Sequence, residues 1–325
     1  MRVITVTEPG GPENLVIAEA PQPQPGPGEV RVAVTAAGVN RADLLQRRGF
    51  YPPPPGITDV LGLEVSGVVD AVASDVTTLR VGDPVVALLA GGGYAEAVVV
   101  PAGQCAPVPD GVDPVTAAGL IEVAATVVSN ARHVSLAAGE NFLVHGGSGG
   151  IGSFAIPYAH ALGCRVFTTV GSADKAEYCR TIGADVAVDY HDDDWASLVK
   201  DAAGERGIDV ILDIIGAKYL EANISLLARG GRLVVIGLQG GRKGTLDLNR
   251  LLSRAATVTA TSLRFRPLEE KAAIVAEVVA DVWPLVSAGT IPLAPTTTYP
   301  LAEAAEAHRR LESGANTGKI VLTVS

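Results

Sequence analysis

Along the first 120 residues, short runs of alternating and β-branched apolar positions, at 30–36, 65–72, 84–89 and 94–100, are set apart by glycine and proline. Runs of that length with turn residues between them predict a small barrel-like β domain. Residues 21–28 (PQPQPGPG) and 52–56 (PPPPG) are read as loops, because proline has no N–H to give to a central ladder. From about residue 122 the pattern changes to apolar strands alternating with helical stretches, with strands at 141–145, 165–170, 185–189, 209–214, 232–237 and 257–262. That alternation predicts a parallel sheet, and six such strands complete a doubly wound Rossmann unit. A helical stretch at 268–286 and a last strand at 319–324 have no partner in that sheet. They are expected to fold back onto the first domain. The expected fold class is α/β, with one discontinuous domain at 1–121 and 264–325 and a second at 122–263.

The first strand of the parallel set runs straight into glycine-rich chain, with G-x-G-x-x-G at Gly147, Gly149 and Gly152 and Ser148, Gly150 and Ile151 between them. A helix is expected from Ser153 to Leu162. A strand, this glycine spacing and a helix form a dinucleotide cradle: the backbone can approach a pyrophosphate, whose charge then sits at the helix N-terminus. An NAD site usually carries Asp or Glu about 20 residues further on, to accept from the ribose 2′-hydroxyl. Here the second strand ends in Val170-Gly171-Ser172, with no carboxylate at its tip. The small pair leaves room for a 2′-phosphate. Lys175 falls in the first turn of the next helix, where the macrodipole disfavours a cation unless an anion lies nearby. The cofactor expected from these residues is NADPH, against the plainer reading of Lys175 as a solvated surface lysine beside Asp174.

Composition narrows the classes. A formal charge of −10 with 25 Lys and Arg argues against a nucleic-acid or anionic-membrane surface, which needs a basic stripe to displace counterions. No apolar run approaches the ~20 residues that span a bilayer, and the opening residues read as a strand, so a cytoplasmic location is expected. Cys105, Cys164 and Cys179 are odd in number and lack C-x-x-C spacing, which provides neither a disulfide framework nor a cysteine zinc lobe. The five histidines, His133, His145, His160, His191 and His308, are scattered without ligand spacing.

Residues 37–49 (AGVNRADLLQRRG), 61–67 (LGLEVSG), 81–84 (VGDP), 92–96 (GGYAE) and the glycine-rich turn together resemble the quinone oxidoreductase branch of the medium-chain dehydrogenase/reductase superfamily over nearly the whole chain. The chain is most similar to a zinc-free subgroup with a comparable tyrosine and proline loop, here 49–56 (GFYPPPPG), and a comparable ending, here 316–321 (NTGKIV). The resemblance implies a GroES-like β-barrel catalytic domain beside the Rossmann domain. Zinc-dependent members have a ligand cysteine where this chain has Asn40 and a ligand histidine where it has Leu63. An amide and an alkyl group cannot replace a thiolate and an imidazole, so no metal is expected.

The same resemblance implies roles. Asn40 would approach the nicotinamide and the acceptor, and Tyr51 would hydrogen-bond the acceptor carbonyl. Glu122 and Thr126 would line the nicotinamide end, and Gly171, Ser172, Lys175 and Tyr190 would hold the 2′-phosphate. Gly237, Leu238 and Gln239, together with Leu263, Arg264 and Phe265, would cover the nicotinamide side, with Asn316 completing it. Each has a plainer alternative: Tyr190 ends a strand, Tyr51 packs on the proline loop, Glu122 caps a helix. The expected activity is NADPH-dependent reduction of small quinones by a homodimer joined through the sixth Rossmann strand. The alternatives are reduction of an alkenal or enone double bond, and an NADPH-responsive binding protein without catalysis.

Overall fold

A computed structural model describes residues 1–324. The chain divides into two compact units, one made of residues 1–125, 263–289 and 293–325, the other of 126–262 and 290–292.

The second unit is built on a six-stranded sheet in the order Val186–Asp189, Arg165–Val170, Asn141–His145, Ile208–Asp213, Leu227–Val235, Thr257–Ala260. Every neighbouring pair is parallel. This is the strand order 3-2-1-4-5-6 of a doubly wound dinucleotide fold. Its central strands read as near-continuous apolar runs because helices cover both faces; Asn141–His145 is buried at all five positions. The helix after the glycine turn spans Gly150–Ala161, with Gly149 as its N-cap, and so opens three residues before the expected Ser153. Glycines are poor inside helices but tolerated in a first turn, where half of the backbone groups have no helical partner in any case.

The first unit holds a seven-stranded sheet. Thr296–Pro300, Lys319–Thr323, Glu29–Val39, Glu64–Val72, Pro84–Leu88 and Cys105–Pro107 follow one another, and Ala97–Pro101 also pairs with Glu29–Val39. The long strand Glu29–Val39 shifts register against Glu64–Val72 between Arg31 and Val32 and again between Val34 and Ala36. Such bulges bend a strand and increase its twist, which lets one strand serve three neighbours around a curved wall. The wall closes on Val30, Val32, Leu61, Val65, Leu89, Tyr94 and Leu322, all buried. The proline segments at 21–28 and 52–56 lie outside regular strands. Strand Thr296–Pro300 and helix Ala304–Glu312 are additions to the expected elements. No helix among the described residues is long and apolar enough to cross a membrane.

Candidate functional site

In the parallel unit the glycines of the turn do different jobs. Gly146 takes a positive φ of 73°, a left-handed turn that glycine adopts without penalty. A methyl group on Gly147 would strike the Thr168 hydroxyl, and one on Gly152 would strike the backbone of Gly146 and Gly147. These two glycines are where strand, turn and helix press together. Gly149 meets nothing closer than 3.4 Å. It leaves an open ledge at the start of a twelve-residue helix, where free N–H groups and the helix dipole favour an anion. Ser148 is buried and Ile151 half-buried beside it.

At the tip of the next strand, the Ser172 hydroxyl caps helix Ala173–Thr181 by accepting from the Lys175 N–H at 3.3 Å. Across from it the Tyr190 N–H donates to the Val170 carbonyl at 2.9 Å, and the phenol lies over Gly171, where a methyl group would fall 2.5 Å from its oxygen. Gly171, Ser172, Lys175 and Tyr190 are thus brought together at one strand end. The reading of Tyr190 as a residue that merely ends a strand is incomplete, since its ring also rests against His191 with centroids 4.5 Å apart.

Two further loops leave the same end of the sheet. The Asp213 carboxylate accepts from Ile215 N–H at 2.6 Å and Gly216 N–H at 3.0 Å, and burial pushes its pKa up to about 6 against those two hydrogen bonds. The loop it holds receives the next one: the Gln239 N–H donates to the Ile214 carbonyl at 3.3 Å, and the Gly240 N–H to the Ile215 carbonyl at 2.7 Å. Gly237 lies against Ile214, and Leu238 projects outward. Asp213 escaped the sequence reading, although an aspartate closing an apolar strand before Ile214-Ile215-Gly216 is a sign of a side-chain-capped turn. Thr126 also lies in this unit, on helix Ile121–His133, where its carbonyl accepts from the Asn130 amide at 2.7 Å.

In the barrel unit Asn40 is the N-cap of helix Arg41–Arg47. Its N–H donates to the Asp43 carboxylate at 2.7 Å, and its carbonyl receives the Asp43 N–H at 3.0 Å. The Asn40 amide is engaged elsewhere: Nδ2 donates to Glu64 Oε1 at 2.9 Å, and the Lys319 ammonium donates to Oδ1 at 2.7 Å. Lys319 also donates to Glu64 Oε1 at 2.7 Å, and the Glu122 N–H donates to Glu64 Oε2 at 3.0 Å. Asn40, Glu64 and Lys319 are all buried, and Leu63 is buried next in sequence. Among the described residues no three His, Cys, Asp or Glu side chains converge as a metal would require. Glu64 and Lys319 were missed as site residues. Their signals were a carboxylate in a buried apolar segment and a lysine opening the apolar strand Lys319–Thr323, both of which ask for a partner.

Behind Asn40 a polar chain runs inward. The Arg47 guanidinium has only donors, so it fixes His308 Nδ1, 3.3 Å away, as an acceptor and puts the ring proton on Nε2. Nε2 then donates to the Tyr94 oxygen at 3.1 Å, and Tyr94 donates to Asp43 at 3.3 Å. Burial, with Arg47 and Arg48 nearby, lowers the His308 pKa to about 3. Arg47 also pairs with Glu312.

Tyr51 belongs to a separate cluster. Arg264 lies over its ring at 5.2 Å and donates to the Tyr51 carbonyl at 3.2 Å, the Ala90 carbonyl at 2.7 Å and Gln46 Oε1 at 2.8 Å. Phe265 meets the ring edge-on at 5.4 Å. Residues 263–265 and Tyr51 are therefore assembled together, with Arg264 as a buried clamp and Leu263 half-buried beside it. Asn316 is buried and donates to the Gly318 carbonyl at 2.9 Å, which fixes the turn that delivers Lys319.

The chain matches two family models, an alcohol dehydrogenase GroES-like domain over residues 26–110 and a zinc-binding dehydrogenase over residues 150–279. Among solved structures it is similar to a mycobacterial protein complexed with NADPH, with 35% identity, a TM-score of 0.91, and coverage of 99% of this chain and 100% of that one. It is also similar to the Escherichia coli quinone oxidoreductase complexed with NADPH, with 30% identity, a TM-score of 0.90 and coverage of 99% and 100%. A curated relative, the phthioceranic/hydroxyphthioceranic acid synthase of Mycobacterium bovis, is 32% identical over 326 residues; these are 99% of this chain but 15% of the synthase.

Proposed function

The chain belongs to the medium-chain dehydrogenase/reductase superfamily and is an oxidoreductase of that family, and on that premise we propose that it reduces small quinones with NADPH. The observation that carries the cofactor reading is the tip of strand Arg165–Val170, where the Tyr190 phenol lies over Gly171 and the Ser172 hydroxyl caps the helix that carries Lys175, and the strand itself ends in Val170-Gly171-Ser172 without a carboxylate. The open ledge at Gly149 supplies N–H groups for the pyrophosphate. Similarity to two proteins that bind NADPH supports the same assignment.

NADPH, when bound, supplies the hydride. The chain's own residues orient the acceptor and stabilise charge on its oxygen, which is what a reaction with little covalent demand on the protein requires. Asn40 holds one Nδ2 proton beyond its bond to Glu64 and offers it to the acceptor oxygen. Tyr51, fixed by Arg264 and Phe265, is a second donor. Where a metal-dependent relative would have ligands, this chain has Leu63 and Asn40, the latter held by the Lys319–Glu64 pair, and we read it as independent of zinc. We also read the protein as a homodimer joined through strand Thr257–Ala260, which ends the sheet with one side unpaired.

A second reading is reduction of an α,β-unsaturated carbonyl, favoured by the 32% identity with a segment of the phthioceranic/hydroxyphthioceranic acid synthase. The same donors would then polarise an enone carbonyl. NADPH oxidation followed with 1,2-naphthoquinone, with an alkenal and with no acceptor distinguishes the readings. Rapid acceptor-dependent oxidation with the quinone, unaffected by chelator, is expected. A higher kcat/KM with the alkenal selects the second reading, and tight NADPH binding with no oxidation in any arm leaves a binding protein.

A further inference from the structure

Glu64 and Lys319 are spent on one amide. Lys319 has only donors and a carboxylate only acceptors, while an asparagine presents an oxygen on one side and an NH2 on the other. With Lys319 at 2.7 Å from both Asn40 Oδ1 and Glu64 Oε1, the amide has one acceptable orientation. Turning it over would set its NH2 against the ammonium and its oxygen against the carboxylate. The backbone makes room for this pair: a methyl group on Gly38 would collide with the Glu64 carboxylate, and one on Gly119 would lie 3.0 Å from Lys319 Cε. The Glu122 N–H holds the other Glu64 oxygen, Oε2, at 3.0 Å, so the carboxylate itself does not rotate.

We propose that Lys319 and Glu64 are positioning residues that lock the Asn40 amide with its second N–H toward the acceptor oxygen. The proposal rests on the reading of Asn40 as the acceptor's donor. Loss of the lock lets the amide turn over and present its oxygen to the acceptor in a fraction of molecules. Because the donor is needed most as charge develops on the acceptor oxygen, the defect falls on kcat and leaves cofactor capture alone.

The experiment compares the full-length protein with Asn40→Ala, with the neutral pair Glu64→Gln plus Lys319→Met, and with all three changes. The pair is replaced together because removing one partner would bury an uncompensated charge. For each, kcat and KM for 1,2-naphthoquinone and the NADPH dissociation constant without acceptor are measured. Asn40→Ala is expected to lower kcat about 10²-fold and the neutral pair roughly tenfold, with NADPH affinity unchanged in both. The triple variant should be no slower than Asn40→Ala, since residues acting through a third add nothing once it is gone. Should that neutral pair fail to fold, Glu64→Gln plus Lys319→Gln is the second variant; it removes both charges together, nearly keeps both volumes, and is expected to lose several-fold in kcat. Unmodified kcat in either neutral pair, or losses that multiply with Asn40→Ala, would overturn the inference while leaving the role of Asn40 standing. Unmodified kcat in Asn40→Ala removes that role, and the inference with it.

Discussion

Lys175 is a cation in the first turn of a helix, half-buried, with its N–H bound by the Ser172 hydroxyl. That is the wrong end of a helix for a lysine, and the 2′-phosphate reading gives it a counter-charge. A charge-assisted hydrogen bond is worth about 1.5–3 kcal/mol, so on that reading this one side chain is expected to give a preference of roughly tenfold to a hundredfold for NADPH over NADH. Lys175→Glu is expected to abolish most of that preference and to change the NADH dissociation constant little. Titrations of both cofactors by nucleotide fluorescence check it, and equal affinities in the unmodified protein would withdraw the phosphate site. Gly171 could be read from the sequence because it follows an apolar strand without a carboxylate, whereas Tyr190 and Arg264 were named only through the family resemblance. The clamp formed by Arg264 was not legible, because an arginine after a predicted strand carries no local mark of the three oxygens it binds, at positions 46, 51 and 90.

At the scale of elements, His145 ends the first strand of the parallel sheet one residue before the glycine turn. It is fully buried, 3.0 Å from the Thr169 hydroxyl and 2.8 Å from Asn223 Oδ1, and faced edge-on by Trp195 and Tyr219. Burial lowers its pKa to about 4 against the Asn223 hydrogen bond. The unfolded chain, at an ordinary value near 6.5, takes up the proton first. Stability from a neutral His145 is therefore complete above pH 6.5 and is lost as pH falls toward 4, by up to about 1.4 kcal/mol per pH unit. His308 acts in the same sense, while Asp43 and Asp213, both pushed up to about 6, act in the opposite sense below that pH. Urea unfolding between pH 7 and 4.5 should accordingly show a shallower loss in His145→Gln than in the unmodified protein. Parallel slopes would mean the imidazole does not titrate as its burial demands. The central strands of this sheet were legible because burial on both faces leaves near-continuous apolar runs. Thr296–Pro300 was not, since its threonines are at least partly exposed and prolines flank it. Helix Ala304–Glu312 hid for another reason: its buried face is made largely of Ala304, Ala307 and His308, which contrast weakly with the polar face.

For the whole molecule, one end of the parallel sheet is an exposed edge among the described residues. Strand Thr257–Ala260 has one neighbour, and the helix before it, Leu248–Arg254, buries none of its residues; Leu248 is 68% and Leu252 81% exposed. An open edge beside bare leucines is a template for pairing, and a two-fold partner satisfies it with itself. Light scattering at micromolar concentration is expected to give twice the chain mass of 33.2 kDa, and Leu252→Asp to shift it toward the monomer. A monomer in the unmodified protein would refute the dimer. The pairing within the seven-stranded sheet has a different consequence, for synthesis. Strand Glu29–Val39 pairs with Lys319–Thr323, so a ribosome that has made the first must make residues 40–318 before the second arrives. All six strands of the parallel sheet lie between Asn141 and Ala260 and leave the exit tunnel earlier. The middle of the chain can fold while its beginning waits, and at about 5–20 residues per second that wait lasts some tens of seconds. During it, residues 36–39 of strand Glu29–Val39 lack the partners they find in Lys319–Thr323, and a translation stall before residue 319 leaves this edge open to chaperones.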